Sequence, residues 1–310
     1  MVGKIICPYC QVKLKKTKND LVCPSCKNRF PFQEGILNLA LASKKNPDLE
    51  FTKKYVRALT KKEKGFFKKI KEFWERERGK SLAARLVDKK AFETLKQIAN
   101  QDFSGFEVLD IGAGGGKEAK KLFQEKVKKV VCLDISFDFL KIARQRLKGK
   151  NAEFVVADGQ NLPFANKSFD LAVFFGSLHH IPNWQKALKE ACRVAKRVAL
   201  VAEPARMGIF GKILAFFGWN TEYGRIKTHR FSPLEVKKIL EKEKMEVAWK
   251  TNFIWFPFGL FGSFKNNKNF LKFYFSFLGV LDRIFGFLGH NLTVFAQEVE
   301  RRGKNENCFC

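Results

Sequence analysis

The sequence predicts an α/β protein built on a doubly wound parallel sheet, and three observations support this fold class. Short apolar runs recur at 106–111, 129–134, 152–157 and 169–175. The first run is followed by a glycine-rich turn and then by a helical segment, and the second run ends in an aspartate. Short buried strands that alternate with helices are typical of parallel sheets covered by helices on both faces.

The chain is long enough for one catalytic-size domain and a small additional module. It has 310 residues, whereas single domains commonly hold about 50–250 residues. Motifs and shifts in composition predict a small N-terminal unit at 1–42, a basic helical connector at 43–101, the main domain at 102–303 and a disordered tail at 304–310.

The net charge is strongly positive, because 59 lysine and arginine residues face 31 acidic residues and give +28. Such a charge attracts phosphate-rich surfaces, either RNA or anionic lipid headgroups. A lysine-rich surface that only contacts water is the alternative. The start of the chain lacks the apolar stretch of a signal peptide, and no apolar run is long enough to span a membrane. We therefore expect a cytoplasmic protein with no transmembrane segment.

Four cysteines near the N-terminus have the spacing of a structural zinc site. Cys7, Cys10, Cys23 and Cys26 form a C-x2-C-x12-C-x2-C pattern, in which two tight turns each present two thiolates to one tetrahedral ion. A redox pair is the competing interpretation, although it predicts a single C-x2-C motif. Residues 21–39, LVCPSCKNRFPFQEGILNL, resemble the zinc ribbon of a small methyltransferase activator subunit, and also that of certain ribosomal RNA guanine methyltransferases. This resemblance implies a platform for a substrate or a protein partner.

The connector at 43–101 is rich in lysine and arginine, and aromatic and aliphatic residues recur in it at three- and four-residue steps. These amphipathic helices suit contact with a nucleic-acid backbone or an anionic membrane. Helices that cover the main domain with a solvated basic face are an equal alternative.

A glycine-rich turn and two acids that follow it mark a candidate nucleoside site. Gly112, Gly114 and Gly116 lie between the first strand and a helix, where backbone N–H groups approach a ligand closely. Asp134 ends the second strand about twenty residues later, as expected for an acid that binds ribose hydroxyls. Asp158 follows the third strand.

This ordered set resembles the class I S-adenosylmethionine-dependent methyltransferases of the small-molecule group called type 11, which includes quinone C-methyltransferases. The match rests on VLDIGAGGG, LDIS, ADGQNLPF and FDLAVFFGSLHHI, and it spans roughly residues 104–250. It implies a Rossmann-like, seven-stranded sheet and S-adenosylmethionine as cofactor. The resemblance implies that Asp134 binds the ribose, that Asp158 and Gly159 bind the adenine, and that Phe175 lines the cofactor cleft. It implies that the methionine part is held by Asp110, Gly112, Gly114 and Gly116.

The chain departs from the family pattern before the fifth strand. A proline-glycine-glycine turn is usual there, whereas Ala195–Arg197 must form the turn in this sequence. We interpret the change as a shortened loop. Glu203 and Pro204 are then expected to end the fifth strand at the rim of the cleft.

Two adjacent histidines follow the fourth strand and are candidate catalytic residues. His179 and His180 lie where a methyl acceptor is expected, and either could accept a proton from it. The alternative is that they only line the site or form hydrogen bonds.

Phenylalanine-rich segments are expected to form a substrate lid, as insertions at about 205–230 and 252–290. Helices are predicted at 207–219 and 270–288, with an apolar segment at 253–261 between them. Either these segments pack on themselves, or they form an apolar tunnel or membrane-facing surface for a lipid-like acceptor. Cys308 and Cys310 in the tail fit no motif.

Three functions remain open from the sequence. The first is methylation of a small-molecule acceptor, hydrophobic or lipid-like, by an enzyme associated peripherally with anionic membrane. The second is methylation of ribosomal or transfer RNA, with the ribbon and the basic helices binding RNA. The third is a non-catalytic adaptor that binds the cofactor.

Overall fold

The structure is a computed structural model that describes residues 4–40, 81–206, 229–252, 262–286, 289 and 291–299. The expected connector helices before residue 81, the lid segments at 207–219 and 253–261, and the tail with Cys308 and Cys310 lie outside these ranges. Within the described ranges, none of the helices combines the length and the apolar character needed to cross a membrane.

Seven strands form the central sheet, as the resemblance implied. The strands are β5 (Glu107–Ile111), β6 (Lys129–Asp134), β7 (Ala152–Val156), β8 (Leu171–Phe175), β9 (Arg197–Pro204), β10 (Met245–Asn252) and β11 (Asn291–Glu298). Their order across the sheet is β7-β6-β5-β8-β9-β11-β10. Strands β5 to β9 run parallel, whereas β11 is antiparallel to both β9 and β10. The Rossmann-like α/β fold is therefore confirmed.

Helices cover both faces of this sheet. They are α1 (Leu82–Ala99), α2 (Lys117–Leu122), α3 (Phe137–Arg146), α4 (Trp184–Val194), α5 (Pro233–Lys242) and α6 (Lys268–Phe285). Helices α1, α2 and α3 contribute to one hydrophobic core, and α4 and α5 contribute to the other. Side-chain caps start several of them at the residues that favour such caps; Ser136 accepts from the backbone N–H of Phe139, and Asn183 from that of Lys186.

The cysteine-containing unit is continuous with the central sheet. Its strands are β1 (Lys15–Lys16), β2 (Asp20–Val22), β3 (Arg29–Gln33) and β4 (Ile36–Asn38). Strand β4 pairs in parallel with β7, which makes one sheet of eleven strands in the described residues. Lys4 bonds to the Glu107 carboxylate, and Ile6 donates to the carbonyl of Pro163 at 3.1 Å. Leu21 and Phe30 belong to the same buried core as Phe164. The ribbon therefore shares a core with the main domain.

The shortened turn before the fifth strand is present. Helix α4 ends at Val194 and β9 begins at Arg197, while Ala195 forms a bridge with Phe169, two residues before β8. The described part of the basic connector, α1, packs against the sheet: Phe92 stacks on Phe175, and Asn252 donates to the Thr94 hydroxyl.

Helix α6 packs across α1 through Leu271 and Ala83. The ion pair between Lys90 and Asp282, 2.6 Å long, supports the same contact. The helix corresponds to the one expected at 270–288. It buries Leu271 and Leu278 but leaves other apolar side chains in solvent.

Candidate active site

The glycine loop requires residues without side chains at two close approaches. Gly112, Gly114 and Gly116 have φ of +75°, +49° and +71°, a region that other residues rarely adopt. A Cβ on Gly112 would lie 2.6 Å from Cβ of Ser177, and a Cβ on Gly116 would lie 2.9 Å from Cβ of Ala143. The loop is therefore pressed against the turn after β8 and against α3.

Asp110 is a buried carboxylate that contacts no donor within the described part of the chain. It precedes the glycine loop on β5, is 1% exposed, and neither of its oxygens has a hydrogen-bond partner there. Burial raises the pKa of Asp110 well above 3.8, and the neighbouring carboxylates of Glu118 and Asp134 raise it further. An acid in this state is suited to accept a cationic ligand group, because such a group would neutralise the buried charge.

Asp134 connects the second strand to the glycine loop. Its Oδ2 accepts from the backbone N–H of Gly114, and its Oδ1 accepts from that of Ser136, both at 2.8 Å. Burial raises the pKa of Asp134, while these N–H donors oppose the rise. Each carboxylate oxygen has a second lone pair, so the acid can hold the loop and still accept from ribose hydroxyls.

Asp158 lies next to the end of β6, because its neighbour Ala157 donates its backbone N–H to the carbonyl of Asp134 at 3.1 Å. The Asp158 carboxylate accepts from the backbone and the side-chain amide of Gln160, at 2.9 Å and 3.0 Å. Gln160 in turn accepts from the N–H of Asn183. Sequence reasoning did not single out Gln160, although it stands inside the ADGQNLPF motif.

Gly159 and Phe175 occupy different surroundings. A Cβ on Gly159 would lie 3.0 Å from Cδ1 of Ile181, so this glycine lets the turn after β8 approach. Phe175 ends β8 and stacks on Phe92 of α1, with ring centroids 6.1 Å apart. The cofactor contacts assigned to the acids, the glycines and Phe175 by resemblance stay predictions.

The two candidate histidines differ in their environment. His179 bonds through Nδ1 to the Glu203 carboxylate at 2.7 Å. Burial, followed by the neighbouring His179, lowers the pKa of His180 to about 3. His180 is therefore neutral at physiological pH and a weak proton acceptor. A third histidine, His229, donates its backbone N–H to the backbone carbonyl of His179 at 3.4 Å, and its ring bonds through Nε2 to Glu235. Sequence reasoning missed His229.

The four N-terminal cysteines come together in space. All four sulfur atoms lie within 4.8 Å of one another, and those of Cys7 and Cys26 are 3.7 Å apart. In a tetrahedral zinc site with Zn–S bonds of about 2.3 Å, sulfur atoms are about 3.8 Å apart. The cluster therefore fits a four-coordinate metal ion, and four thiolates leave no open position for catalysis.

Comparison with known proteins relates part of the chain to a protein family. Residues 109–202 match the family model described as a methyltransferase domain. An uncharacterised protein of Methanocaldococcus jannaschii is 33% identical over 225 residues, which make up 63% of this chain and 80% of that protein. The ubiquinone/menaquinone biosynthesis C-methyltransferase of Rickettsia massiliae is 30% identical over 141 residues, or 41% of this chain, and this chain spans only 56% of that enzyme.

A solved structure from Thermotoga maritima, described as a methyltransferase dependent on S-adenosylmethionine and a possible histamine N-methyltransferase, has a TM-score of 0.48 and 19% identity. The comparison covers 75% of this chain and 96% of that one. The segment matched by the family model contains the glycine loop and the acids at the carboxyl ends of three neighbouring strands. The chain therefore belongs to the methyltransferase family whose domain model it matches at 109–202, and it is related to the M. jannaschii protein over most of that protein's length.

Proposed function

We propose that this enzyme methylates a hydrophobic, lipid-like small molecule, and that it works in the cytoplasm at the surface of an anionic membrane. The observation that carries the proposal is an exposed apolar stripe on α6. Phe273, Phe277, Val280 and Ile284 are each more than half exposed. Their spacing puts them on one face of the helix.

Basic residues flank this stripe. Lys272 and Arg283 are exposed on the same helix, and the whole chain carries a charge of +28. Apolar side chains bordered by lysine and arginine favour binding at the boundary between headgroups and acyl chains. A lipid-like acceptor would then be taken up where it is concentrated.

The relatives support the same acceptor class. Several are named for C-methylation in ubiquinone and menaquinone biosynthesis, which makes a hydrophobic acceptor the first candidate here. RNA is the second candidate class, favoured by the ribbon that joins the catalytic sheet. Both are outcomes of the assay described below.

Methyl transfer requires little covalent chemistry from the protein. S-adenosylmethionine supplies a methyl group on a positively charged sulfur, ready for in-line displacement. Asp110 and the glycine loop would hold the methionine part, Asp134 the ribose, and Asp158 with Gly159 the adenine. His179 would face the acceptor. The protein's contribution is to align the reacting atoms and to exclude water.

We also propose that Cys7, Cys10, Cys23 and Cys26 bind a structural zinc ion. The spacing of the sulfur atoms supports it. Measurement of the metal content of the purified protein tests it, with one zinc per chain expected and loss of zinc in Cys23→Ser. A chain that is purified without zinc and keeps its stability in a chelator would contradict the proposal.

The acceptor class is tested with methyl-labelled S-adenosylmethionine and the separated lipid, RNA and protein fractions of a cell extract. Label is expected in the lipid fraction. Label confined to RNA or to protein would overturn the proposal, and no label in any fraction would favour the adaptor. Asp134→Asn is the control that shows whether the label depends on the cofactor site.

The membrane surface is tested by co-sedimentation with anionic vesicles. Phe273→Glu should reduce binding at low salt at least tenfold. Leu234→Glu is the matched control, because Leu234 is as exposed as Phe273, at 69% against 72%, but lies on α5. Equal binding by both variants would contradict a role for the α6 stripe.

A further inference from the structure

Glu203 is a buried carboxylate around which the turn after β8 is built. Its side chain is fully buried at the end of β9. One oxygen accepts from the backbone N–H groups of Ser177 and Leu178, both at 2.9 Å. The other accepts from the backbone N–H of His179 at 3.3 Å and bonds to its Nδ1 at 2.7 Å. These donors compensate the buried charge.

This turn lies at the cofactor edge of the sheet. Strands β8 and β9 are parallel neighbours, so their carboxyl ends meet there. The Ser177 hydroxyl donates to the carbonyl of Ile111 at 2.6 Å, directly before the glycine loop. The turn is therefore held from two sides, by Glu203 at the end of β9 and, through Ser177, by the residue before the glycine loop.

The pairing decides which nitrogen of His179 carries hydrogen. An ionised carboxylate only accepts hydrogen bonds, so Nδ1 must donate to Glu203. In the neutral ring Nε2 then keeps its lone pair and can accept a proton. When it does, the resulting positive ring lies against the Glu203 carboxylate, which stabilises it.

We propose that Glu203 is a positioning residue that holds His179 in the Nδ1–H form and presents Nε2 as the proton acceptor for the methyl acceptor. The inference rests on the proposed methyl transfer and narrows its substrate to molecules whose nucleophilic carbon, oxygen or nitrogen carries a proton. In the reaction, a bond forms between that atom and the methyl carbon. The methyl–sulfur bond breaks and leaves its electron pair on sulfur. The proton of the acceptor goes to Nε2 and later to solvent.

The surroundings of the neighbouring histidines favour His179 over them as the base. His180 lies beside it, with ring centroids 3.9 Å apart, and remains neutral at physiological pH. His229 contacts the same turn through its backbone and pairs its ring with Glu235 at 2.9 Å. Among the described residues, Glu203 is the carboxylate bonded to the His179 ring.

Nitrogen NMR of the imidazole rings tests the tautomer without any turnover. The probe is protein labelled with ¹⁵N-histidine and saturated with S-adenosylhomocysteine. The chain has only 4 histidines, and His179→Asn assigns the relevant signal. At pH 8 we expect a protonated Nδ1 and an unprotonated Nε2 in the native chain. A protonated Nε2 on His179 would overturn the proposal, whatever the methyl acceptor proves to be.

Glu203→Gln tests the role in catalysis. The Gln oxygen can still accept from Ser177 and Leu178, but its NH₂ group would face Nδ1 and favour the opposite tautomer. We expect single-turnover methyl transfer to the labelled lipid product to fall about 10²- to 10⁴-fold. Cofactor affinity and acceptor KM should stay within about threefold of native values. The acidic limb of the pH–rate profile should move to lower pH, because the imidazolium loses its neighbouring negative charge.

Glu235→Gln is the matched control, since it alters the other Glu–His pair and should leave the rate and the pH profile unchanged. An unchanged rate in Glu203→Gln would refute the positioning role. An equal loss of rate, cofactor affinity and melting temperature in Glu203→Gln would also refute it, because that pattern indicates only a structural role. If the variant does not fold, the tautomer of His179 in the native chain still tests the positioning role of Glu203. If no fraction is methylated by the native chain, the proposed function fails while the tautomer result stands.

Discussion

Asp110 offers a sharp test of the cofactor site, because its burial predicts opposite effects on stability and on binding. Asp110→Asn removes the charge of a carboxylate that is 1% exposed and that has no hydrogen-bond partner in the described ranges. A buried, unsatisfied polar group costs about 1–3 kcal/mol, and a charged one costs more. Asparagine keeps the cost of the polar group but removes the additional cost of the charge. We therefore expect the variant to be more stable than the native apoprotein by about 1–3 kcal/mol at pH 8.

The same change should weaken cofactor binding. If Asp110 accepts a hydrogen bond from the ammonium group of the methionine part, its loss removes about 1.5–3 kcal/mol. That corresponds to a Kd for S-adenosylmethionine raised about 10- to 150-fold. The pKa of Asp110 is raised in the folded chain, so ionisation of this group opposes folding increasingly as the pH rises above 3.8. The stability gained by Asp110→Asn should therefore be present at pH 8 and disappear as the pH approaches 4.

Thermal unfolding of the cofactor-free protein and calorimetric titration with S-adenosylmethionine provide the assay. A gain of 1–3 kcal/mol corresponds to a rise in Tm of roughly 2–12 °C for a domain of about 150–250 residues. Asp134→Asn is the matched control: it is also buried, but two backbone N–H groups bond to it, so its replacement should lower Tm. If Asp110→Asn lowers Tm as much as Asp134→Asn does, or leaves cofactor affinity unchanged, the account of Asp110 is wrong.

Further predictions concern the glycine loop, the loop after β7 and the cysteine cluster. Gly112→Ala should weaken S-adenosylmethionine binding at least tenfold in titrations, because the added Cβ would displace Ser177. Gly105→Ala is the control, since Gly105 has a similar φ of +76° but open space around it. This variant should bind the cofactor normally despite about 1–3 kcal/mol of backbone strain. Arg193→Met should lower the free energy of unfolding by about 1.5–3 kcal/mol in denaturant titrations, since its guanidinium bonds to two carbonyls of the loop after β7; an unchanged midpoint would contradict this support. Cys23→Ser, or a strong chelator, should lower both Tm and cofactor affinity, because the ribbon shares a core with the main domain; a loss confined to zinc content would show that the two are independent.

Much of the site could be predicted because its signals are local. The strands at 107–111 and 129–134 are short apolar runs bounded by turns, and their acids stand at fixed positions relative to the strand ends. The resemblance relied on the same segments. The cysteine spacing likewise predicted that the four sulfur atoms lie together, since two short turns suffice to bring them there.

Contacts between distant segments could not be predicted in this way. Nothing in ILN at 36–38 shows that it pairs with β7, because the edge of β7 becomes available only when the whole sheet has formed. Glu203 was expected at the rim of the cleft, but its bond to His179 depends on β8 and β9 being neighbours. The environment of Asp110 is of the same kind, since a missing partner is a property of the packed core.

The sequence by itself determined the fold class, the order of the cofactor motifs and the cysteine cluster, because hydrophobic periodicity, turn residues and ligand spacing act over a few neighbouring residues. The tertiary structure alone decided that the ribbon extends the central sheet, that Glu203 bonds to one of two adjacent histidines, and that Asp110 is buried without a partner among the described residues. These features depend on strand order and on burial, which arise only when segments far apart in the chain pack against one another.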